Sequence, residues 1–171
     1  AKAGRRVALV ERKHLGGSCV NFGCTPTKAA FASARLAHLA RRAWDFGIDI
    51  AAVRPDLPTV LARAESIAQR SRHHLETSLE AADGPLRLQY GHARFIDHRG
   101  GHFHLAIGDE RIETDQVVLD TGTRSQVPAI PGLADIDYIS PENLLHDTRL
   151  PEDLAIVGGG YIGLEMAQFY R

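Results

Sequence analysis

Two periodicities alternate along the chain. Val7-Ala8-Leu9-Val10 is an unbroken apolar run closed by Glu11, and the stretch from Arg6 reads as a short strand buried in a parallel sheet. His14-Leu15-Gly16-Gly17-Ser18 is a glycine-rich turn. From about Thr27 to Asp45 the chain is alanine-rich and predicts a helix, closed by Gly47. A second helix is predicted from about Leu57 to Ala82. There Leu61, Ala64, Ile67, Ala68, Leu75 and Leu79 fall on one stripe, while Arg63, Arg70, Glu76 and Glu80 fall away from it. Pro55 and Pro58 mark a loop between the two.

The period then changes from helical to two. Leu86, Leu88 and Tyr90 alternate with Arg87 and Gln89, and Phe103, Leu105 and Ile107 alternate with His102, His104 and Ala106. With Gly100-Gly101 and Gly108-Asp109 as turns, this predicts an antiparallel meander. Val117-Val118-Leu119 predicts another buried strand, ending at Thr121-Gly122. Ser140-Pro141 has the residues of a helix start. Leu154-Ala155-Ile156-Val157 predicts a last strand, followed by a turn at 158–163 and a helix from Leu164. No internal repeat or low-complexity tract is present, and the order of elements argues for an α/β fold.

Gly158-Gly159-Gly160-Tyr161-Ile162-Gly163 fits the Gly-x-Gly-x-x-Gly fingerprint of dinucleotide binding. Its glycines permit a tight turn and let a pyrophosphate approach a helix N-terminus. The residue that contacts the ribose is expected about 20 residues further on, past Arg171. The other end shows the complement. Glu11 closes a strand, where the ribose-binding acid of a first nucleotide unit belongs, and that unit's fingerprint is expected upstream of residue 1. The sequence thus reads as the back of one nucleotide-binding unit and the front of another, with both ends truncated. On position alone, Glu11 is equally a solvated strand-end acid.

Composition narrows the partners. Of the 171 residues, 20 are basic and 21 acidic, so a net charge of −1 offers no attraction to nucleic acid or an anionic membrane. No apolar run approaches the roughly 18–20 residues that span a bilayer, and residues 1–6 have no signal-peptide core.

The two cysteines, too few for a secreted disulfide scaffold, stand five apart in Gly16-Gly17-Ser18-Cys19-Val20-Asn21-Phe22-Gly23-Cys24-Thr25-Pro26-Thr27-Lys28. They precede a predicted helix, whose N-terminal partial charge favours a thiolate, the species that attacks disulfides or binds a soft metal ion. Asn21 and Gly23 allow an irregular backbone that brings the sulfurs together, and Lys28 adds a positive charge. A bare pair at this spacing also fits a structural disulfide or two buried thiols.

The thirteen-residue stretch resembles the redox motif of the class I pyridine nucleotide–disulfide oxidoreductases. That family includes mercuric reductase, dihydrolipoamide dehydrogenase and glutathione reductase. The order of Glu11, then Asp120-Thr121-Gly122-Thr123-Arg124, then Gly158 to Glu165 also fits, so the resemblance spans the chain. Thr25-Pro26-Thr27-Lys28 and the helix from Ala34 to Arg42 look most like mercuric reductase and its close relatives.

The resemblance implies a partial FAD-binding Rossmann-like domain over 1–150, with an inserted helix pair and the meander. The start of an NAD(P)-binding Rossmann unit would follow over 151–171. It implies a path from NADPH or NADH through FAD to the Cys19–Cys24 disulfide and on to substrate. Cys19 would be the interchange thiol and Cys24 the thiol against the flavin, joined by thiol–disulfide exchange. Lys28 would stand near the flavin, paired with Glu165. Glu11 would bind the FAD ribose; Gly16, Gly17 and Ser18 would approach its phosphates; Thr121 and Gly122 would line the flavin site. Gly158, Gly160, Ile162 and Gly163 would form the second fingerprint, with Tyr161 covering the nicotinamide pocket. Phe22 and Asp120 depart from smaller residues common at those places.

By the same resemblance the substrate is Hg(II), held at Cys19 and Cys24, or else lipoamide or glutathione disulfide. The full-length protein would be a cytoplasmic homodimer, and the isolated piece of low or no activity. No structural metal is expected: the nine histidines, His102 and His104 on one strand face among them, read as solvated. A non-enzymatic nucleotide-binding fragment with a structural Cys19–Cys24 bridge is the competing class.

Overall fold

The period-two and helical segments fold largely where the pattern places them in a computed structural model describing residues 4–82 and 84–171. Strand β1 (Val7–Glu11) is followed by a five-residue helix α1 (Gly17–Asn21) and the long helix α2 (Cys24–Arg41). A 3-10 turn at Ala43–Phe46 ends at Gly47, whose φ of 76° requires glycine. Helix α3 (Leu57–Glu80) precedes four strands: β2 (Leu86–Tyr90), β3 (Ala93–Arg99), β4 (His102–Ile107) and β5 (Glu110–Thr114). Helix α4 (Tyr161–Tyr170) comes last.

The chain divides into two compact units. The first holds residues up to Gly17 together with Ser71–Thr123. In it β1 and β2 pair in parallel, Val7 opposite Leu86 through Glu11 opposite Tyr90. Strands β3, β4 and β5 form a separate antiparallel sheet. The alternation of Leu86, Leu88 and Tyr90 therefore belongs to β2 of the parallel pair and not to the meander. Period two marks a strand but cannot say which neighbour it finds. Arg87 on β2 bridges to Glu110 on β5 with two hydrogen bonds of 2.6 and 2.8 Å, and Gln89 adds a third at 2.7 Å.

The second unit holds Ser18–Arg70 and Arg124–Arg171. Its core gathers Ala30 of α2, Leu57, Leu61 and Ala64 of α3 and Leu145, with Phe169 and Tyr170 of α4 against them. Leu61, Ala64 and Ala68 are the most buried positions of the α3 stripe, as its helical spacing requires. Arg63 of α3 donates to the Ala29 carbonyl of α2 at 2.9 Å.

Several sequence expectations are corrected. Helix α2 begins at Cys24, not Thr27, and Pro58 lies inside the first turn of α3 instead of in the loop. Both differences have one cause: a proline costs nothing in a first turn, whose N–H groups have no intrahelical partner. Val117–Leu119 and Leu154–Val157 are not strands, and Val118 and Val157 are 91% and 71% exposed. An apolar run becomes a buried strand only beside others, and neither run is hydrogen-bonded into a sheet among the described residues. For the same reason β1 is not buried: Val7 and Leu9 are partly open on a two-stranded sheet. After Ser140 the chain makes turns through residue 146, with Leu144 N–H bonded to the Ser140 carbonyl, and no helix follows. Finally, α4 starts at Tyr161, three residues before Leu164.

Candidate functional site

The cysteine pair belongs to the second unit and is built by a tight helix-to-helix turn. Helix α1 carries Cys19, and Cys24 is the first residue of α2. The Ser18 carbonyl accepts from both Phe22 N–H (3.0 Å) and Gly23 N–H (2.6 Å), which closes α1. The Gly23 carbonyl in turn accepts from Thr27 N–H at 3.0 Å, which starts α2. The turn brings the two side chains together: Cys19 makes a side-chain hydrogen bond to Cys24. Both are exposed and present as thiols.

The electrostatics of Cys19 differ from the sequence expectation. Its hydrogen bond to Cys24 stabilises the neutral thiol, and desolvation adds to this, so its pKa is raised and not lowered. The helix-terminus reasoning fails for Cys19 because it lies within the short α1, while Cys24 takes the N-terminal position of α2. Gly23 has the irregular backbone expected of it, with φ −103° and ψ −121° outside the helical and extended regions, and the space beside it is also closed to a side chain. Asn21 is buried within α1.

One turn along α2, the Lys28 ammonium forms an ion pair with Glu165 of α4. Residues 137 positions apart in sequence thus meet, joining the helix that carries Cys24 to the helix that follows the second glycine turn. At that turn Gly158 has a φ of 111°, open only to glycine. Gly163 is confined by packing: a Cβ there would lie 2.7 Å from the Gly158 carbonyl oxygen and 3.2 Å from Ile156 Cγ2. Around Gly159 and Gly160 the space is open. Gly160 caps α4 without a side-chain bond, leaving amide donors at its N-terminus, and Tyr161 is exposed beside them. This combination fits a dinucleotide phosphate: donors, no side chain in the way, and a close helix-to-turn contact.

The first unit holds the other sequence-derived residues except Ser18. Glu11 ends parallel strand β1, the end at which open α/β sheets bind ligands. One carboxylate oxygen accepts from Lys13 N–H at 2.7 Å. Gly16 and Gly17 have φ of 93° and 61°, and Gly17 opens α1 while Ser18, in the second unit, follows within that helix. These features suit the ribose and phosphate of a dinucleotide. Thr121 and Gly122 are exposed, with Gly122 at a φ of 70°, and no strand leads into them. The expectation that they stand at a strand end is corrected, since β5 stops at Thr114.

His102 lies 2.6 Å from Asp115, and His104 lies 2.5 Å from Asp97 and 3.4 Å from Glu113. His104 is thus enclosed between carboxylates of two neighbouring strands, its side chain 18% exposed, instead of being solvated. Among the described residues no group of histidine, cysteine or acidic side chains is placed to hold a metal ion, and no helix is long and apolar enough to cross a membrane.

Sequence reasoning missed one polar anchor in the second unit. The Glu142 carboxylate accepts from Ser125 N–H at 3.0 Å and from the Ser125 hydroxyl at 2.8 Å. Burial works to raise its pKa, yet hydrogen bonds from Ser125, joined by Ser140 and its own backbone, together outweigh this and hold it below the usual carboxylate range. No local pattern links two residues 17 positions apart.

The chain is thus an α/β protein with a close thiol pair and two glycine-rich turns. The chain is matched over residues 1–171 by the family model for the pyridine nucleotide-disulphide oxidoreductases, and it belongs to that family. Family members use FAD and NAD(P)H. The chain is 35% identical over 169 residues to a mercuric reductase of Acidithiobacillus ferrooxidans, covering 98% of this chain and 31% of that protein. It is 35% identical over 173 residues to a dihydrolipoyl dehydrogenase of Chlorobaculum parvum, covering 99% and 36%. The HOCl-induced flavoprotein disulfide reductase RclA of Escherichia coli, solved as a Cu(II) complex, superposes with a TM-score of 0.79 at 28% identity, covering 99% of this chain and 34% of that one. The chain therefore spans about a third of the length of the relatives it matches.

Proposed function

We propose that this chain is the disulfide-bearing part of an FAD- and NAD(P)H-dependent reductase whose substrate is Hg(II). The observation that carries the reading is the joint placement of the Cys19–Cys24 pair, on α1 and α2, and of the Lys28–Glu165 ion pair, on α2 and α4. A structural bridge would need no such ion pair between the helices that carry the pair and follow the fingerprint.

In this reading residues 1–150 belong to the FAD-binding domain and 151–171 open the NAD(P)-binding one. Glu11 holds the FAD ribose, and Gly16, Gly17 and Ser18 admit its phosphates, with Thr121 and Gly122 beside the flavin. Gly158, Gly160, Ile162 and Gly163 form the turn that receives the NAD(P)H pyrophosphate, and Tyr161 covers the nicotinamide side. FAD, when bound, relays the electron pair of NAD(P)H hydride to the disulfide. Cys24 is the thiol on the flavin side, and Cys19 is the outer thiol that meets substrate. Lys28 brings a positive charge to the flavin side, and Glu165 fixes its position. The soft thiolates of Cys19 and Cys24 would ligate Hg(II), whose reduction to the metal takes the two electrons of one hydride. The full-length protein is expected to be a cytoplasmic homodimer.

A second reading, reduction of an organic disulfide or oxidation of the matching dithiol, is favoured by the equal identity to a dihydrolipoyl dehydrogenase. Nucleotide oxidation by the full-length protein, assayed with Hg(II), lipoamide and glutathione disulfide in turn, separates the two. Hg(II)-dependent turnover is expected; turnover with an organic disulfide alone rules mercury out.

A further inference from the structure

We propose that Gly23 is a positioning residue that sets the reduction potential of the Cys19–Cys24 pair, by leaving room for the α1 backbone to lie against the start of α2. The proposal rests on the reading of that pair as redox-active.

A Cβ at position 23 would stand 2.9 Å from the Ser18 carbonyl oxygen, 3.1 Å from Cys19 Cα and 3.3 Å from the Ser18 carbonyl carbon. All three atoms are backbone, so none can swing aside as a flexible side chain would. Two of them belong to the carbonyl that accepts the Phe22 and Gly23 amides. The third is the α-carbon of the reacting cysteine. Any side chain at 23 must therefore push Cys19 away from Cys24 or break the hydrogen bonds closing α1. Disulfide geometry tolerates little of this: Cβ–Cβ distances cluster at about 3.5–4.5 Å, and departures strain the bond and make it easier to reduce. The dithiol has no such constraint, because it needs no bond between the sulfurs. A methyl group at 23 thus acts on the oxidised state more than on the reduced one. The effect is on an equilibrium, which distinguishes it from a general loss of stability.

The test is the thiol–disulfide equilibrium of the full-length protein in glutathione buffers, read by alkylation and mass. Oxidation transfers two electrons and two protons from the pair to glutathione disulfide. One thiolate of the pair attacks it and releases one glutathione; the other then attacks the mixed disulfide and releases the second. Gly23→Ala is expected to lower the equilibrium constant for forming the Cys19–Cys24 disulfide at least tenfold, about 30 mV towards a more oxidising couple. Phe22→Gly, which loosens the same turn without adding an atom near Ser18, should lower it several-fold.

A wild-type pair that oxidises normally, with Gly23→Ala within twofold of it, overturns the positioning role and leaves the redox pair standing. A wild-type pair that never oxidises at any glutathione ratio sinks the redox reading beneath it. If Gly23→Ala does not fold, an unchanged equilibrium in Phe22→Gly overturns the proposal.

Discussion

Removing the Lys28–Glu165 ion pair separates a stabilising contact from a functional one. The Lys28 side chain is 61% exposed and that of Glu165 34%. Water screens such a pair, and ordering two long side chains offsets part of the attraction, so exposed pairs contribute about 0.2–1 kcal/mol. For a domain of this size that corresponds to a shift in Tm of no more than about 4 °C. A double-mutant cycle with Lys28→Gln, Glu165→Gln and the double variant measures the coupling directly. Calorimetry on the full-length protein should return less than about 1 kcal/mol, shrinking as the Debye length falls to about 3 Å at 1 M salt. The rate at which NAD(P)H reduces the protein should fall far more, by about a hundredfold or greater for Lys28→Gln, as for the loss of a charge placed where charge develops. A coupling well above 1 kcal/mol would refute the screening argument. A reduction rate that changes no more than stability does would deny the pair its functional role.

Four further outcomes follow from the geometry. Gly163→Ala, whose methyl would meet the Gly158 carbonyl at 2.7 Å, should cost about 1–3 kcal/mol by overpacking. Gly160→Ala, in open space, should leave Tm nearly unchanged yet weaken NAD(P)H binding, measured by calorimetric titration of the full-length protein. Cys19 should alkylate with a pH midpoint above that of an ordinary cysteine, since its hydrogen bond to Cys24 favours the neutral thiol; Cys24→Ala should bring the midpoint down, and an unmoved midpoint would refute the coupling. Arg87, followed by the Gln89 amide, holds the Glu110 carboxyl below its usual range. A depressed carboxylate adds stability above its unfolded pKa and loses it as pH falls through the folded one. The Glu110 carboxyl resonance should therefore titrate at lower pH than in Arg87→Met, and identical midpoints would show that the bridge does not form.

The sequence was informative wherever local periodicity met a local partner. In the α3 stripe Leu61, Ala64 and Ala68 are buried as the spacing requires, while Ile67, Leu75 and Leu79 are half-buried, and β4 and β5 pair through the Gly108 turn. It misled where the partner was not local. Val117–Leu119 and Leu154–Val157 carry the composition of buried strands, but their side chains stand open. At the site, the residue types around the thiol pair were legible, and so was the meeting of Lys28 with Glu165 through family resemblance. The close approach of Gly23 to Ser18 was not, because a steric demand from backbone atoms leaves no compositional trace beyond the glycine itself. The Ser125–Glu142 anchor was hidden for the same reason: nothing in either residue's neighbourhood names the other.

In the proposed reading Cys19 and Cys24 take up the electrons of NAD(P)H together. The direct measurement is anaerobic addition of one equivalent of NADPH or NADH to the oxidised full-length protein, followed by alkylation and mass mapping of the thiols. Two new thiols per chain are expected, at Cys19 and Cys24, with a long-wavelength absorption band as Cys24 faces the flavin. A flavin that is fully reduced while the Cys19–Cys24 bridge stays closed would contradict it.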